Sequence, residues 1–278
     1  MPIKFKIYLK LDLPKKKEEV VIQPDVLHGF FFSLLSSHLA GELHKPSRYK
    51  PFSIWAPNLF KFNTKEIPIE NQEENIVPVT ISLLKDDLFP VIVNQLYEAQ
   101  KKLFLGPYKV SLIKESYGII KNDLYLSYEE ILQTEPKPYL SFLFLTPTTF
   151  KKGAITYPLP DPKVVFKGLI KKWNRFSPHR IPVDLRSAIE EKLYIVFAKI
   201  RTHKISLSLG GFLIGFTGRV LYGGKTLTQE ELKWINILGT FSNFSGIGKK
   251  TTMNFGMTEF VGIDEEVYHE EETNLSNR

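Results

Sequence analysis

The order of hydrophobic periodicities along the chain constrains its fold more than any other feature of the sequence. In the first half, segments with the two-residue period of strands alternate with segments of helical period. The predicted order is strand, helix, strand, strand, helix, strand, over residues 3–10, 24–41, 52–55, 76–84, 88–103 and 106–113. This is the order of the split β-α-β unit.

The same order returns after the polar, proline-containing segment 132–138. The second series is predicted at residues 139–145, 162–176, 193–209, 212–222, 228–238 and 252–261, and Thr228 and Glu231 form the capping box of its last helix. We therefore predict an α+β protein with two tandem ferredoxin-like (RRM-like) domains. The predicted boundaries are 1–134 and 138–262, and an acidic, flexible tail follows at 263–278.

Composition excludes several functional classes. The chain has no cysteine, so disulfides, zinc knuckles and a thiolate nucleophile are excluded and a reducing compartment is expected. No apolar run reaches transmembrane length and the first residues have a strand pattern, which predicts a cytoplasmic protein with no membrane partner. The net charge of +7, despite the acidic tail, favours an anionic partner such as nucleic acid.

The segment 244–257 combines glycines with cations. It lacks the spacing of a nucleotide P-loop, and a strand pattern rather than a helix follows it. Glycines let backbone N–H groups turn outward and approach an anion closely, so the segment predicts a cradle for the backbone of a polyanion. The alternative is a plain connection with solvated lysines. The candidate RNA-binding residues here are Gly246, Gly248, Lys249, Lys250, Thr251, Asn254 and Gly256.

This Gly-rich loop and three other stretches together resemble the CRISPR repeat-processing endoribonucleases of the repeat-associated RNA-binding (RAMP) superfamily. The other stretches are Leu27-His28-Gly29-Phe30, residues 43–53 and residues 144–150, and the likeness runs from Ile3 to about Val261. The resemblance implies an enzyme without metal or cofactor, in which a ribose 2′-hydroxyl attacks the adjacent phosphate and leaves 2′,3′-cyclic phosphate and 5′-hydroxyl ends. It implies CRISPR repeat RNA as partner, allows other CRISPR effector subunits, and leaves monomer and homodimer open.

The resemblance also implies catalytic residues. Its histidine after the first helix corresponds to His44, and its lysine to Lys50. Phe32 stands where some relatives carry tyrosine, so Tyr49 is the candidate substitute. Asn254 replaces a family glycine and is expected to adopt the same left-handed backbone conformation.

The chemistry of the residues agrees with this assignment. Histidine suits either proton transfer, and a cation beside the phosphate stabilises the charge that develops. Residues 44–50 hold one histidine, three cations (including Arg48) and two hydroxyls in a predicted loop. An exposed loop histidine is the alternative for His44. His38, on the first helix, is either a core histidine or a second catalytic candidate, and His28 is either a core histidine or a residue flanking the site.

Other cations form two groups. Lys163, Lys167, Lys171 and Arg175 follow helical spacing along one face, which predicts either a solvated face or a track for the RNA backbone. Arg201, Lys204 and Arg219 lie on the predicted strand pair, where they are expected to contact RNA. His179 and His203 lie among cations and are expected to face RNA or water.

Two other functions compete with a nuclease. The first is a non-catalytic RNA-binding subunit of a CRISPR complex, which would not need a histidine at position 44. The second is a ferredoxin-like protein-interaction module, against which the basic body and the Gly-rich loop argue.

Overall fold

The computed structural model describes residues 1–12, 22–45, 47, 49–63, 76–98, 103–113 and 121–265. Backbone contacts divide the chain into two compact units that are interleaved in sequence. The first unit comprises residues 1–126, 204–213 and 250–255, and the second comprises 127–203, 214–249 and 256–278. The boundaries predicted from the sequence, 1–134 and 138–262, remain a prediction, because this division follows contacts rather than independent folding.

The first unit is built on an antiparallel sheet. Its elements are β1 (Ile3–Leu11), α1 (Val26–Ser33), α2 (Ser37–His44), β2 (Phe52–Trp55), a 3-10 helix (Pro57–Asn63), β3 (Ile76–Leu83), α3 (Leu88–Glu98), β4 (Leu103–Leu105), β5 (Tyr108–Leu112) and β6 (Lys121–Tyr125). The strand order is β2-β3-β1-β5-β4, and β6 also pairs with β1. Alternate residues of β1, including Phe5 and Ile7, are fully buried, as the two-residue period predicts.

The second unit repeats this arrangement. Its elements are α4 (Tyr128–Leu132), β7 (Tyr139–Thr148), β8 (Phe150–Lys152), β9 (Ile155–Tyr157), α5 (Pro162–Phe176), α6 (Leu185–Lys192), β10 (Tyr194–Ser206), β11 (Phe212–Gly223), α7 (Gln229–Ser245) and β12 (Thr258–Ile263). The sheet order β10-β11-β7-β12 corresponds to β2-β3-β1-β5 of the first unit. The prediction of an α+β fold with tandem ferredoxin-like units is therefore confirmed.

The first predicted helix is two helices. Leu34 ends α1, and the Ser36 hydroxyl caps α2 by accepting a hydrogen bond from the Leu39 N–H at 3.4 Å. Because a serine at an N-cap competes with continued helix, the chain turns here. The helix α2 continues through Gly41 to His44. The prediction that His44 lies in a loop is therefore wrong: His44 is the last residue of a helix.

Other boundaries also differ from the predictions. The strand predicted at 106–113 is part of a hairpin, β4–β5, that turns at Gly106 (φ 61°). The strand predicted from Thr252 begins at Thr258, because positive φ angles at Lys250 and Asn254 turn the chain. Six elements had no predicted counterpart: β6, β8, β9, α4, α6 and the 3-10 helix.

Two residues of the predicted tail, Asp264 and Glu265, form ion pairs. Asp264 pairs with Lys137, with 3.0 Å between carboxylate and ammonium, and Glu265 pairs with Lys225. Residues 266–278 lie outside the described residues. Among the described helices, none is both long enough and apolar enough to cross a membrane.

Candidate active site

Two histidines of the first unit share an aromatic cluster. His28 lies on α1, His44 ends α2, and their ring centroids are 5.8 Å apart. The ring of Phe32 contacts both, with its centroid 3.9 Å from that of His44 and 4.7 Å from that of His28. His28 and Phe32 share one face of α1 because they are four residues apart. The cluster therefore places two imidazoles side by side.

A backbone carbonyl of the Gly-rich loop holds the ring of His28 in place. Its Nδ1 lies 3.1 Å from the Thr252 carbonyl oxygen. A carbonyl oxygen can only accept a hydrogen bond, so Nδ1 carries the hydrogen and the lone pair of the neutral ring lies on Nε2. The half-buried ring also stacks near Phe52, with 6.4 Å between centroids. A fixed ring with a free Nε2 lone pair is suited to accept a proton.

The surroundings of His28 favour its neutral form. Burial is the largest cause that lowers its pKa, and the positive charges of His44, Lys250 and Lys50 act in the same direction. The hydrogen bond to Thr252 opposes them. The net effect is a pKa below the usual value, so His28 is neutral near pH 7.

Lys50 caps the helix that ends at His44. Its Nζ donates to the carbonyl oxygens of Leu43 at 2.5 Å and Lys45 at 2.7 Å. Cations are stabilising at a helix C-terminus, where carbonyl groups lack partners inside the helix. An ammonium group has three N–H donors, and two are accounted for by these carbonyls, so the third can donate to a phosphate oxygen.

The segment 250–255 packs onto the strand β2 and the residue after it. Thr251 accepts a hydrogen bond from the Ile54 N–H at 3.1 Å, and Phe255 accepts one from Trp55 Nε1 at 2.9 Å. The buried Asn254 side chain binds the backbone N–H and carbonyl of Ala56. The φ angle of Asn254 is 69°, so the predicted left-handed conformation is confirmed.

Comparisons with known proteins agree in one family. The model of the CRISPR-associated endoribonuclease Cas6 family matches residues 142–258. A CRISPR-associated endoribonuclease Cas6 from Streptococcus thermophilus is 25% identical over 235 residues, which are 82% of this chain and 87% of that protein. A Thermus thermophilus Cas6 product complex has a TM-score of 0.75 and 26% identity, covering 94% of this chain and 100% of its own. A second Cas6 product complex has a TM-score of 0.71 and 25% identity, with the same coverage.

The chain is similar to Cas6 proteins over most of its length. The resemblance drawn from the sequence is therefore confirmed. This similarity supports endoribonuclease activity in the processing of CRISPR precursor RNA. It does not by itself identify the residues that act.

The rest of the Gly-rich loop, residues 244–249 and 256–257, belongs to the second unit. Gly248 has a φ of 88°, and a Cβ there would lie 2.6 Å from the Thr149 carbonyl oxygen. The Lys249 N–H donates to that oxygen at 2.9 Å, and its Nζ donates to the Thr156 hydroxyl. The glycine at 248 is therefore required for close packing of backbone on backbone.

The expectation that loop N–H groups face outward is wrong for most of the loop. The N–H groups that donate inside the protein include those of Gly246, Ile247, Lys249, Met253, Asn254, Phe255, Gly256 and Met257. Gly246, Thr251, Asn254 and Gly256 are buried, whereas Lys249 and Lys250 are partly exposed. RNA contact by this loop thus remains a prediction that rests on its two lysines.

The remaining catalytic candidates differ in position. His38 is exposed, so its prediction as a core histidine is wrong. It lies six residues before His44, which is about 120° around the α2 axis. Tyr49 is half-buried, and its carbonyl oxygen accepts a hydrogen bond from the Ser47 hydroxyl at 2.8 Å. Arg48 lies outside the described residues.

The other predicted RNA contacts have varied surroundings. Arg175, Arg201 and Lys204 are exposed, and Lys204 Nζ lies 4.4 Å from the centroid of the Phe212 ring. Lys171 is half-buried, and Arg219 Nε donates to the Ser141 hydroxyl at 3.0 Å. As RNA contacts, these residues remain predictions.

Lys172 is a buried cation that was not predicted from the sequence. Lys172 Nζ donates to the carbonyl oxygens of Ser245 at 2.5 Å and Gly246 at 3.0 Å, at the end of α7. Burial lowers its pKa to about 7. A signal existed, because Lys172 lies three residues after Leu169 and seven after Val165, at the spacing of the apolar face of α5.

Proposed function

We propose that this chain is a Cas6-type endoribonuclease that cleaves CRISPR precursor RNA within the repeat, without a metal ion. A ribose 2′-hydroxyl attacks the adjacent phosphate, the bond to the 5′-oxygen breaks, and the products carry a 2′,3′-cyclic phosphate and a 5′-hydroxyl. The observation that carries the proposal is the pairing of His28 and His44 beside Phe32, with Lys50 at the same helix end. The reaction needs two proton transfers, which two histidines can perform, and a cation that stabilises the negative charge developing on the phosphate.

His28 is assigned the role of general base. Its Nδ1–H is bound to Thr252, so Nε2 can accept the proton of the 2′-hydroxyl. Its lowered pKa keeps the ring neutral at the pH of the reaction. His44 is exposed at the end of α2 and is assigned to protonate the leaving 5′-oxygen.

Lys50 is assigned to stabilise the negative charge on the phosphorane, through the ammonium hydrogen that its two carbonyl acceptors leave available. Lys250, whose positive charge contributes to the lowered pKa of His28, is assigned as a second cation that attracts the substrate phosphate. The two solved relatives described as product complexes support the proposal that the chain binds its RNA product.

The test is cleavage of end-labelled CRISPR repeat RNAs, taken as a panel, in excess EDTA. We expect one cut within the matching repeat, a cyclic phosphate at the new 3′ end, and no cut when the attacking 2′-hydroxyl is replaced by hydrogen. His44→Ala is expected to bind this RNA and cleave it about 100- to 10,000-fold more slowly. His38→Ala is the matched control, because His38 is an exposed histidine of the same helix.

Dependence of cleavage on added Mg²⁺ would contradict the metal-free mechanism. If wild type binds the panel with salt-sensitive affinity and cuts none of it, the chain is a non-catalytic RNA-binding subunit. If no RNA in the panel binds, the protein-interaction module becomes the better description.

A further inference from the structure

We propose that Asn254 is a positioning residue for His28. By binding both backbone groups of Ala56, its side chain holds the segment 250–255 so that the Thr252 carbonyl selects the reactive tautomer of His28. This inference rests on the role proposed above for His28. It assigns to the Gly-rich loop a part in proton transfer rather than in RNA contact alone.

The Asn254 side chain is specific for this anchoring. It is fully buried, its Oδ1 accepts from the Ala56 N–H at 2.7 Å, and its Nδ2 donates to the Ala56 carbonyl oxygen at 3.0 Å. An amide has both a donor and an acceptor, so it can satisfy a backbone N–H and C=O together. Loss of this side chain would leave both Ala56 groups buried without these partners.

Thr252 lies between anchored residues of the same segment. Before it, Thr251 accepts a hydrogen bond from the Ile54 N–H; after it, the Asn254 N–H donates to the Ile54 carbonyl oxygen at 3.2 Å. The Met253 N–H closes a turn to the Lys250 carbonyl oxygen at 2.8 Å. The Thr252 carbonyl is therefore placed by its neighbours, and Asn254 supplies the side-chain bonds of that set.

The position of this carbonyl has a chemical consequence. A neutral imidazole has one N–H, and the hydrogen bond made by one nitrogen determines which nitrogen carries the lone pair. While Thr252 accepts from Nδ1, the lone pair remains on Nε2. If the segment shifts, part of the His28 population carries its hydrogen on Nε2 and cannot accept a proton there.

Two substitutions separate the backbone conformation from the side-chain bonds. Glycine adopts positive φ angles readily, so Asn254→Gly keeps the left-handed conformation and removes both bonds to Ala56. Asn254→Asp keeps an acceptor for the Ala56 N–H and removes the donor to its carbonyl. The matched control is Asn236→Ala, which removes a buried asparagine of the second unit whose Nδ2 donates to the carbonyl oxygens of Lys137 and Leu232.

The experiment combines ¹⁵N NMR of the His28 ring with single-turnover cleavage and RNA affinity, all on the full chain. Wild type is expected to show the Nδ1–H tautomer. In Asn254→Gly we expect a mixture of tautomers and a cleavage rate lower by about 10- to 100-fold, the usual effect of losing a group that orients a reactive one. RNA affinity is expected to stay within about twofold, because the buried amide does not reach the surface.

If Asn254→Gly does not fold, the tautomer of His28 is measured in Asn254→Asp by the same NMR signal. We expect this variant to contain a smaller fraction of the Nε2–H tautomer than Asn254→Gly would. Asn236→Ala is expected to lower the melting temperature while leaving tautomer and rate unchanged. A wild-type tautomer in both Asn254 variants overturns the inference, as does an equal loss of rate in Asn236→Ala. Wild-type cleavage by His28→Ala instead overturns the role of His28, so the two failures are distinguishable.

Discussion

Among the six histidines of the chain, His28 shows how a local pattern and a distant contact combine. The helical spacing of His28 and Phe32 is readable from the sequence, and His44 is implied by the family resemblance. The acceptor for His28 lies 224 residues later along the chain, and no periodicity reports such a pairing. The sequence therefore predicted a catalytic role for His44 and did not predict one for His28.

Lys250 is expected to tune the pH dependence of cleavage. Its positive charge contributes to the lowered pKa of His28. A general base must be neutral, so the rate falls as pH decreases through the pKa of His28. Lys250→Met removes this charge and raises that pKa, so the acidic limb of the pH–rate profile should move to higher pH.

The measurement is single-turnover cleavage between pH 5 and pH 8, with Lys249→Met as control, because the Lys249 ammonium bonds instead to Thr156. Equal displacement of the limb in both variants, or a shift of the Lys250→Met limb to lower pH, would contradict the assignment of His28.

Phe32 is expected to act through the geometry of the two histidines. Its ring touches both, so Phe32→Ala should lower the cleavage rate by about 10- to 100-fold, the scale of small misplacements of reacting groups. Phe32→Tyr keeps the ring and should remain active. Single-turnover rates with RNA affinities test this; an RNA affinity that falls as far as the rate would point to a binding role instead.

At the scale of elements, predictability follows the strength of local signals. The helix α5 was predicted with its observed bounds, since Pro162 starts it, the Asp161 side chain caps it and its apolar positions repeat regularly. The break between α1 and α2 was missed because apolar spacing continues across Ser36. The burial of Lys172 was not predicted, because its hydrogen-bond partners are carbonyl oxygens at the end of α7, which is distant in the sequence.

Lys172 is expected to make stability depend on pH. Its pKa is about 7 in the folded chain and about 10.5 when unfolded, so the unfolded chain binds more protons between these values. Stability should therefore rise with pH in this window, by up to about 1.4 kcal/mol per pH unit from this group. Lys172→Met should remove that contribution.

Denaturant unfolding at pH 7 to pH 9.5 measures this slope. Lys167→Met, an exposed lysine of the same helix, should keep the wild-type slope. Parallel pH dependence of wild type and Lys172→Met would show that Lys172 is not the titrating group.

At the scale of the whole molecule, the two ferredoxin-like units are interleaved in the chain. The repeated order of periodicities was enough to predict both folds, because each sheet is built from amphipathic segments. The assignment of residues 204–213 and 250–255 to the first unit could not be predicted, since it depends on hydrogen bonds such as those to Ile54 and Ala56.

A fragment of residues 1–134 is therefore expected to be less stable than the same residues in the full chain. Without the segment 250–255, Ala56 and the Trp55 indole N–H lose their partners, at about 1–3 kcal/mol for each buried group. Trp55 is the sole tryptophan of this fragment, so its fluorescence during denaturant unfolding reports the change.

A chimera that adds residues 204–213 and 250–255 through glycine-rich linkers should recover part of this stability. The opposite result would be cooperative unfolding of the fragment 1–134 at the same denaturant concentration as the full chain. It would show that residues 204–213 and 250–255 do not stabilise the first unit.

His28 and His44 are proposed to act together on one phosphate. The most direct test is single-turnover cleavage of the matching repeat RNA by His28→Ala, by His44→Ala and by the double variant, with binding measured for each. We predict that each single variant binds RNA and loses about 100- to 10,000-fold in rate, and that the double variant loses little more than the slower single one. Cleavage by His28→Ala at the wild-type rate would contradict the account.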